Sequence, residues 1–105
     1  TQVLVTSIGG EPGRMRKERM ALSAQLRREG IASEHAFPER PRQEKQLKYA
    51  LSSGIPLVIT IGEDELSKGT VQVKDLAGEK QLELPREDAC VKVREMLEML
   101  RKRDI

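Results

Sequence analysis

Residues 55–62 read IPLVITIG, a run that is apolar apart from Thr60 and rich in β-branched side chains. Successive side chains of a strand point to opposite faces of its sheet, so a run without a polar face must be covered on both sides. The segment is therefore predicted to be the central strand of a sheet with packing above and below. That requirement limits the chain to a layered α/β arrangement and governs the reading of everything around it.

The flanking segments supply the layers. In TQVLVTSIGG, Val3, Leu4 and Val5 form a second short apolar run, and Gly9, Gly10, Pro12 and Gly13 then break the pattern. Residues 14–30 place Met15, Leu22 and Leu26 at helical spacing and end at Gly30, a natural helix terminator. A second strand is predicted over 31–37, with Ile31, Ala36 and Phe37 as its apolar content. Pro38 and Pro41 mark a loop. Residues 43–54 form a second helix with Leu47, Ala50 and Leu51 as its buried stripe and Gly54 at its end. After the central strand, EDELSKG makes a tight polar connection of about one helical turn. Val71 and Val73 alternate in TVQVKDL, Ala77 and Gly78 turn the chain, and Leu82 and Leu84 alternate in EKQLELP, which reads as a hairpin at the sheet edge. The last segment, 85–105, is a helix with Ala89, Val93, Met96, Leu97 and Leu100 on its apolar face. Glu87 and Asp88 in its first turn and Arg101, Lys102 and Arg103 in its last suit the helix dipole.

The order is thus β-α-β-α-β, a β-hairpin, then α. Helices joining consecutive strands imply parallel crossovers, and ligands of such sheets gather at the carboxyl ends of the parallel strands. Two segments fall there: Ser7–Gly13 and Gly62–Ser67. The 105 residues suffice for one domain, expected over 1–105, with one modest core. Aromatics make up only 2%, so that core is built from Leu, Ile, Val, Met and Ala. No apolar run approaches the roughly 20 residues that span a bilayer. The single Cys90 cannot form an intrachain disulfide, which fits a reducing compartment. The chain opens at Thr1 with almost no lead-in before the first strand, as expected of a piece of a longer polypeptide.

Charge is unevenly distributed. Residues 1–54 hold ten Lys or Arg against six Asp or Glu, whereas residues 55–105 hold nine against eleven. The basic excess of the first half is compatible with a polyanionic partner, although charge alone reads more readily as a mixed solvated surface.

Catalysis finds little support. His35 lies in the weakest strand with no nucleophile near it in the pattern, and Cys90, beside an apolar stripe, reads as a small buried hydrophobe. Metal-ligand spacings of the CxxC or HxxxH kind are missing. IGGEPG follows a strand but lacks both the GxGxxG spacing and the GK[ST] ending of phosphate loops. A phosphoacceptor domain would need an Asp at the end of the third strand, where this chain has Ile61-Gly62. The acidic turn GEDEL, with Glu63, Asp64 and Glu65, reads equally as a solvated turn or as a binding feature. Its acids are contiguous, unlike the alternating ligands of a calcium loop. Carboxylates can instead accept hydrogen bonds from the amino groups of bases, with a lysine on the adjoining strand as complement.

IPLVITIGEDELSKGTVQVKDL resembles the C-terminal anticodon-binding domain of histidyl-tRNA synthetases, with its strand, GE-x-E and G-x-V-x-VKD hairpin strand. QLKYALSSGIP is similar to that family's second helix, in a eukaryotic-like form. The resemblance spans essentially the whole chain, is strongest over 46–84, and fits the histidyl type better than the threonyl, prolyl or glycyl types that share the fold. It implies a three-layer α/β/α domain with a five-stranded mixed sheet and helices on both faces. It places Glu65 and Lys74 at an acidic and a basic anticodon contact, with Glu63 and Gln46 as weaker correspondences. Arg42 and Lys45, at the start of the second helix, suit phosphate contacts on physical grounds. The chain departs from the family at Gln43 and Glu44, where an apolar residue is common. The implied partners are tRNA with the histidine anticodon GUG and the parent's catalytic domain, in a cytoplasmic, homodimeric synthetase. No cofactor is expected in this domain; ATP and Mg belong to that catalytic domain. A standalone or repurposed module, serving RNA sensing or protein interaction without aminoacylation, has the same sequence pattern.

Overall fold

The computed structural model describes residues 1–38 and 41–103. Its elements run β1 (Val3–Ile8), α1 (Pro12–Arg28), β2 (Ser33–His35), α2 (Gln43–Ser52), β3 (Leu57–Gly62), α3 (Glu63–Lys68), β4 (Thr70–Asp75), β5 (Lys80–Pro85), a 3₁₀ turn (Arg86–Asp88) and α4 (Ala89–Arg103). The strands form one five-stranded mixed sheet in the order β2-β1-β3-β4-β5. β1 lies parallel to β2 and β3, and β3, β4 and β5 run antiparallel to one another. The layered α/β reading, the central position of the IPLVITIG strand and the terminal hairpin therefore hold.

One face of the sheet is a continuous core. Val3 and Val5 of β1, Leu57, Ile59 and Ile61 of β3, and Val71 and Val73 of β4 pack there against Met15, Leu22 and Leu26 of α1 and Ala89, Cys90 and Val93 of α4. Leu66 of α3 and Leu84 of β5 join its margin. The opposite face carries a much smaller cluster, in which Leu47 and Ala50 of α2 and Ile55 cover Leu4 and Val58. The winding switches sides at β1 and β3: β1 leads through α1 on one face to β2, and β2 leads through α2 on the other face back past β1 to β3. Helices that follow such crossovers run against their strands, so α2 begins at the carboxyl end of the sheet.

Local chemistry sets the boundaries. α1 starts two residues earlier than the periodicity predicts. Glu11 accepts hydrogen bonds from the Gly13 and Arg14 backbone N–H groups at 3.0 and 2.8 Å, and Pro12 occupies the first helical position. Those bonds, Arg14 first, hold the Glu11 carboxyl below its ordinary pKa. β2 is shorter than the predicted 31–37, and its ending has a visible cause. The fully buried Arg19 donates through Nε to the Ala36 carbonyl at 3.2 Å, through Nη2 to the Pro38 carbonyl at 2.8 Å and through Nη1 to Ser7 Oγ at 2.7 Å. The guanidinium takes over backbone groups that a longer strand would pair, and Phe37 is left 78% exposed. Leu51 is 64% exposed, against its predicted place in the buried stripe of α2. The apolar ground beneath that helix is narrow, and Leu47 and Ala50 already fill it. EDELSK is a complete six-residue helix, closed by Gly69 in the left-handed conformation at φ 73°. Asp104, Ile105 and the Arg103 side chain, at the end of the predicted final helix, lie outside the described residues.

Candidate nucleic-acid interface

Sheet register determines which side chains share the α2 side. One lateral row runs Thr6, Thr60, Gln72, Glu83, and the next runs Glu34, Leu4, Val58, Lys74, Gln81. α2 sits on the Leu4–Val58 part of these rows. Gln72 and Lys74 remain half-buried and Gln81 and Glu83 exposed. Half of this face is therefore a polar, open floor beside the central strand.

Hydrogen bonds organise the floor. Gln81 Nε2 donates to Gln72 Oε1 at 2.5 Å, and Gln72 Nε2 donates to Glu65 Oε1 at 2.7 Å. Thr70 Oγ1 donates to Glu83 Oε1 at 3.2 Å at the outer edge. At the inner edge Gln43, the first residue of α2, donates from Nε2 to Thr60 Oγ1 at 3.3 Å. Glu65 belongs to α3 but reaches over the floor because α3 follows β3 without a spacer. Its other oxygen lies against the backbone of Gly62, where an added Cβ would come within 2.1 Å of Oε2. One face of the carboxylate is thus held by Gln72 and the other by a position that has no side chain.

The residues singled out from sequence separate into groups. Glu65 and Lys74 lie on the same open floor. The structure pairs the Glu65 carboxylate with Gln72, while Lys74 stands two residues further along β4, about 7 Å away by strand rise. Arg42 is the N-cap of α2 and Lys45 lies in its first turn, both exposed; Gln46, half-buried, donates its backbone N–H to the Arg42 carbonyl at 3.0 Å. α2 therefore begins regularly despite Gln43 and Glu44. Glu63 is exposed and lies near Gly9, on the β1–α1 loop. Asp64 is exposed. Asp75, by contrast, is buried, and its Oδ1 accepts from the Ala77 and Gly78 N–H groups at 3.1 Å, shaping the hairpin turn. The sequence pattern missed Gln43, Thr60, Gln72 and Gln81, whose only signal was the outward position of Gln72 and Gln81 in the alternating hairpin.

His35, on the edge strand, stacks against Phe37 with ring centroids 5.6 Å apart. Burial first, then the positive charges of Arg27, Arg19 and Arg16, push its pKa down. Cys90 is buried in the main core, and burial pushes its thiol pKa up. Among the described residues no group of three or more His, Cys, Asp or Glu is placed to hold a metal ion. None of the described helices is long and apolar enough to cross a membrane.

The described residues form an α/β domain with one open polar sheet face. Residues 2–96 match the family model described as an anticodon binding domain. The cytoplasmic histidine–tRNA ligase of Dictyostelium discoideum is 33% identical over 102 residues, covering 97% of this chain and 21% of the relative. The human mitochondrial histidine–tRNA ligase is 35% identical over 81 residues, covering 77% of this chain and 16% of the relative. Among solved structures, histidyl-tRNA synthetase from Nostoc sp. PCC 7120 superposes with a TM-score of 0.84 at 26% identity, over 92% of this chain and 22% of that one. The chain belongs to the anticodon-binding domain family, in its histidyl-tRNA synthetase branch. It spans about a fifth of the length of the curated relatives it matches.

Proposed function

We propose that this chain binds the anticodon arm of tRNA carrying the histidine anticodon GUG, with the open floor beside α2 as the reading surface. The observation that carries the reading is the Glu65 carboxylate, fixed by Gln72 on an otherwise uncovered polar sheet face. A carboxylate there repels phosphate and so weakens RNA binding in general. It favours binding only where a base amino group donates to it, and guanine offers one. Lys74, on the same floor, supplies the complementary donor to a base acceptor. Gln46 and Glu63 flank the site as secondary contacts. Arg42 and Lys45, exposed at the start of α2, meet backbone phosphates and set the orientation of the arm.

In this reading the chemistry lies elsewhere. A catalytic domain of a homodimeric, cytoplasmic parent binds ATP, Mg and histidine, and this domain holds the far end of the tRNA so that the acceptor end is positioned for reaction. An anticodon stem-loop RNA is the direct probe. The chain should bind the GUG stem-loop more tightly than one with both guanines replaced, and equal affinities would overturn the assignment. Lys45→Ala should weaken binding to both RNAs alike and reduce the slope of log affinity against log salt by roughly 0.7–0.9, the value of one lost phosphate contact. An unchanged slope, measured by fluorescence anisotropy, removes Lys45 from the interface.

A further inference from the structure

Among the described residues, two buried side-chain oxygens have no hydrogen-bond partner: Gln43 Oε1 and Thr6 Oγ1. They belong to one place. Thr6 is fully buried and sits directly beside Thr60 in the β1–β3 register, and Thr60 Oγ1 is the acceptor of the 3.3 Å bond from Gln43 Nε2. Thr60 is in turn the lateral neighbour of Gln72, the residue that holds Glu65. The unsatisfied oxygens therefore adjoin the open floor, where the first turn of α2 overhangs it.

The energetics of this arrangement are one-sided. A buried carbonyl oxygen left without a donor is disfavoured, and a single bond at 3.3 Å from the amide nitrogen to a hydroxyl compensates weakly. The same carboxamide turned outward would be solvated on both atoms. Gln43 is at the start of a helix and only half-buried, so rotation about its side-chain torsions needs no backbone movement. A carboxamide also presents a donor beside an acceptor, which matches the adjacent donor and acceptor on the edge of an unpaired nucleobase and pairs with it through two bonds.

Resting on the anticodon-binding reading above, we infer that Gln43 is a specificity-determining residue that leaves Thr60 and pairs with the edge of one unpaired anticodon base. Gln43 adds a third reading position beside Glu65 and Lys74, on the α2 side of the floor.

The test compares the chain with Gln43→Leu and Glu65→Gln on a panel of anticodon stem-loops: GUG and its single-base replacements at each of the three positions. Gln43→Leu should reduce discrimination at one position by about tenfold, as expected for loss of a two-bond base contact, while its melting temperature stays level or rises because an unsatisfied buried oxygen is gone. The position affected should differ from that affected by Glu65→Gln. If Gln43→Leu keeps every discrimination ratio while Glu65→Gln changes one, Gln43 only covers Thr60 and the inference fails while the anticodon reading stands. A uniform loss across all stem-loops with a lowered melting temperature would also overturn it, as a packing effect. If wild type itself discriminates at no position, the anticodon reading falls and the inference with it.

Discussion

The two faces of the sheet are built from the same strands, yet they differ in kind. Towards α1 and α4, β1, β3, β4 and β5 each contribute aliphatic side chains, and two long helices cover them. Towards α2, Leu4 and Val58 are the buried apolar strand positions, one ten-residue helix covers them, and Thr60, Gln72, Lys74, Gln81 and Glu83 line the open part of the face. Alternation in β4 makes the contrast sharp: Val71, Val73 and Asp75 are buried while Thr70, Gln72 and Lys74 are half-buried. One face supplies the fold's stability and frees the other to carry polar groups that contribute little to it.

That division can be broken by mutation. Ile59→Ala, on the core face of β3, should cost about 2–5 kcal/mol in urea unfolding. Gln72→Ala, on the other face of the neighbouring strand, should cost no more than about 0.5 kcal/mol while altering RNA binding. Comparable losses from the two would show that the polar floor is a structural element. Gly62→Ala sharpens the comparison further. The added methyl meets the end of the Glu65 side chain, which can move, so stability should change by less than about 1 kcal/mol. The displaced carboxylate loses Gln72, and base discrimination should fall towards that of Glu65→Gln. Unchanged discrimination in Gly62→Ala would mean that the position of Glu65 is immaterial.

A smaller effect comes from His35, at the far edge of the sheet. Its folded pKa is depressed, chiefly by burial and then by the nearby arginines. The unfolded chain therefore binds the proton more readily. Stability from this group is complete above the ordinary imidazole pKa and is lost as pH falls from that value towards the folded one. His35→Gln should flatten the pH dependence of unfolding in that window and leave RNA binding intact. A slope of unchanged steepness would place the titrating group elsewhere.

The elements legible in the sequence were those with local periodicity. IPLVITIG, the alternating hairpin and the stripes of α1 and α4 depend on spacing within one segment, and spacing is visible along a chain. What escaped depends on neighbours that arrive from elsewhere. EDELSK is too short and polar to show a helical period. Leu51 is exposed because only a narrow strip of sheet lies beneath α2. Arg19 looks like a surface residue within RMRKERM, yet it is buried against Ser7 and the carbonyls after β2. The candidate site follows the same rule. Glu65 and Lys74 were found through a resemblance to known motifs, whereas the glutamines around them carry no motif and become visible only when register places them in a row.

The central claim is that the Glu65 carboxylate reads a base. Affinities of wild type and Glu65→Gln for the GUG stem-loop and for a variant with one guanine replaced give a direct answer. The substitution keeps the shape, removes the charge and replaces one acceptor oxygen by an NH2 donor. The discrimination ratio should fall by the equivalent of roughly 1–3 kcal/mol, while binding to unrelated RNA holds steady or rises as repulsion of phosphate is relieved. The same ratio in both proteins would contradict the account and leave Glu65 as part of a solvated turn.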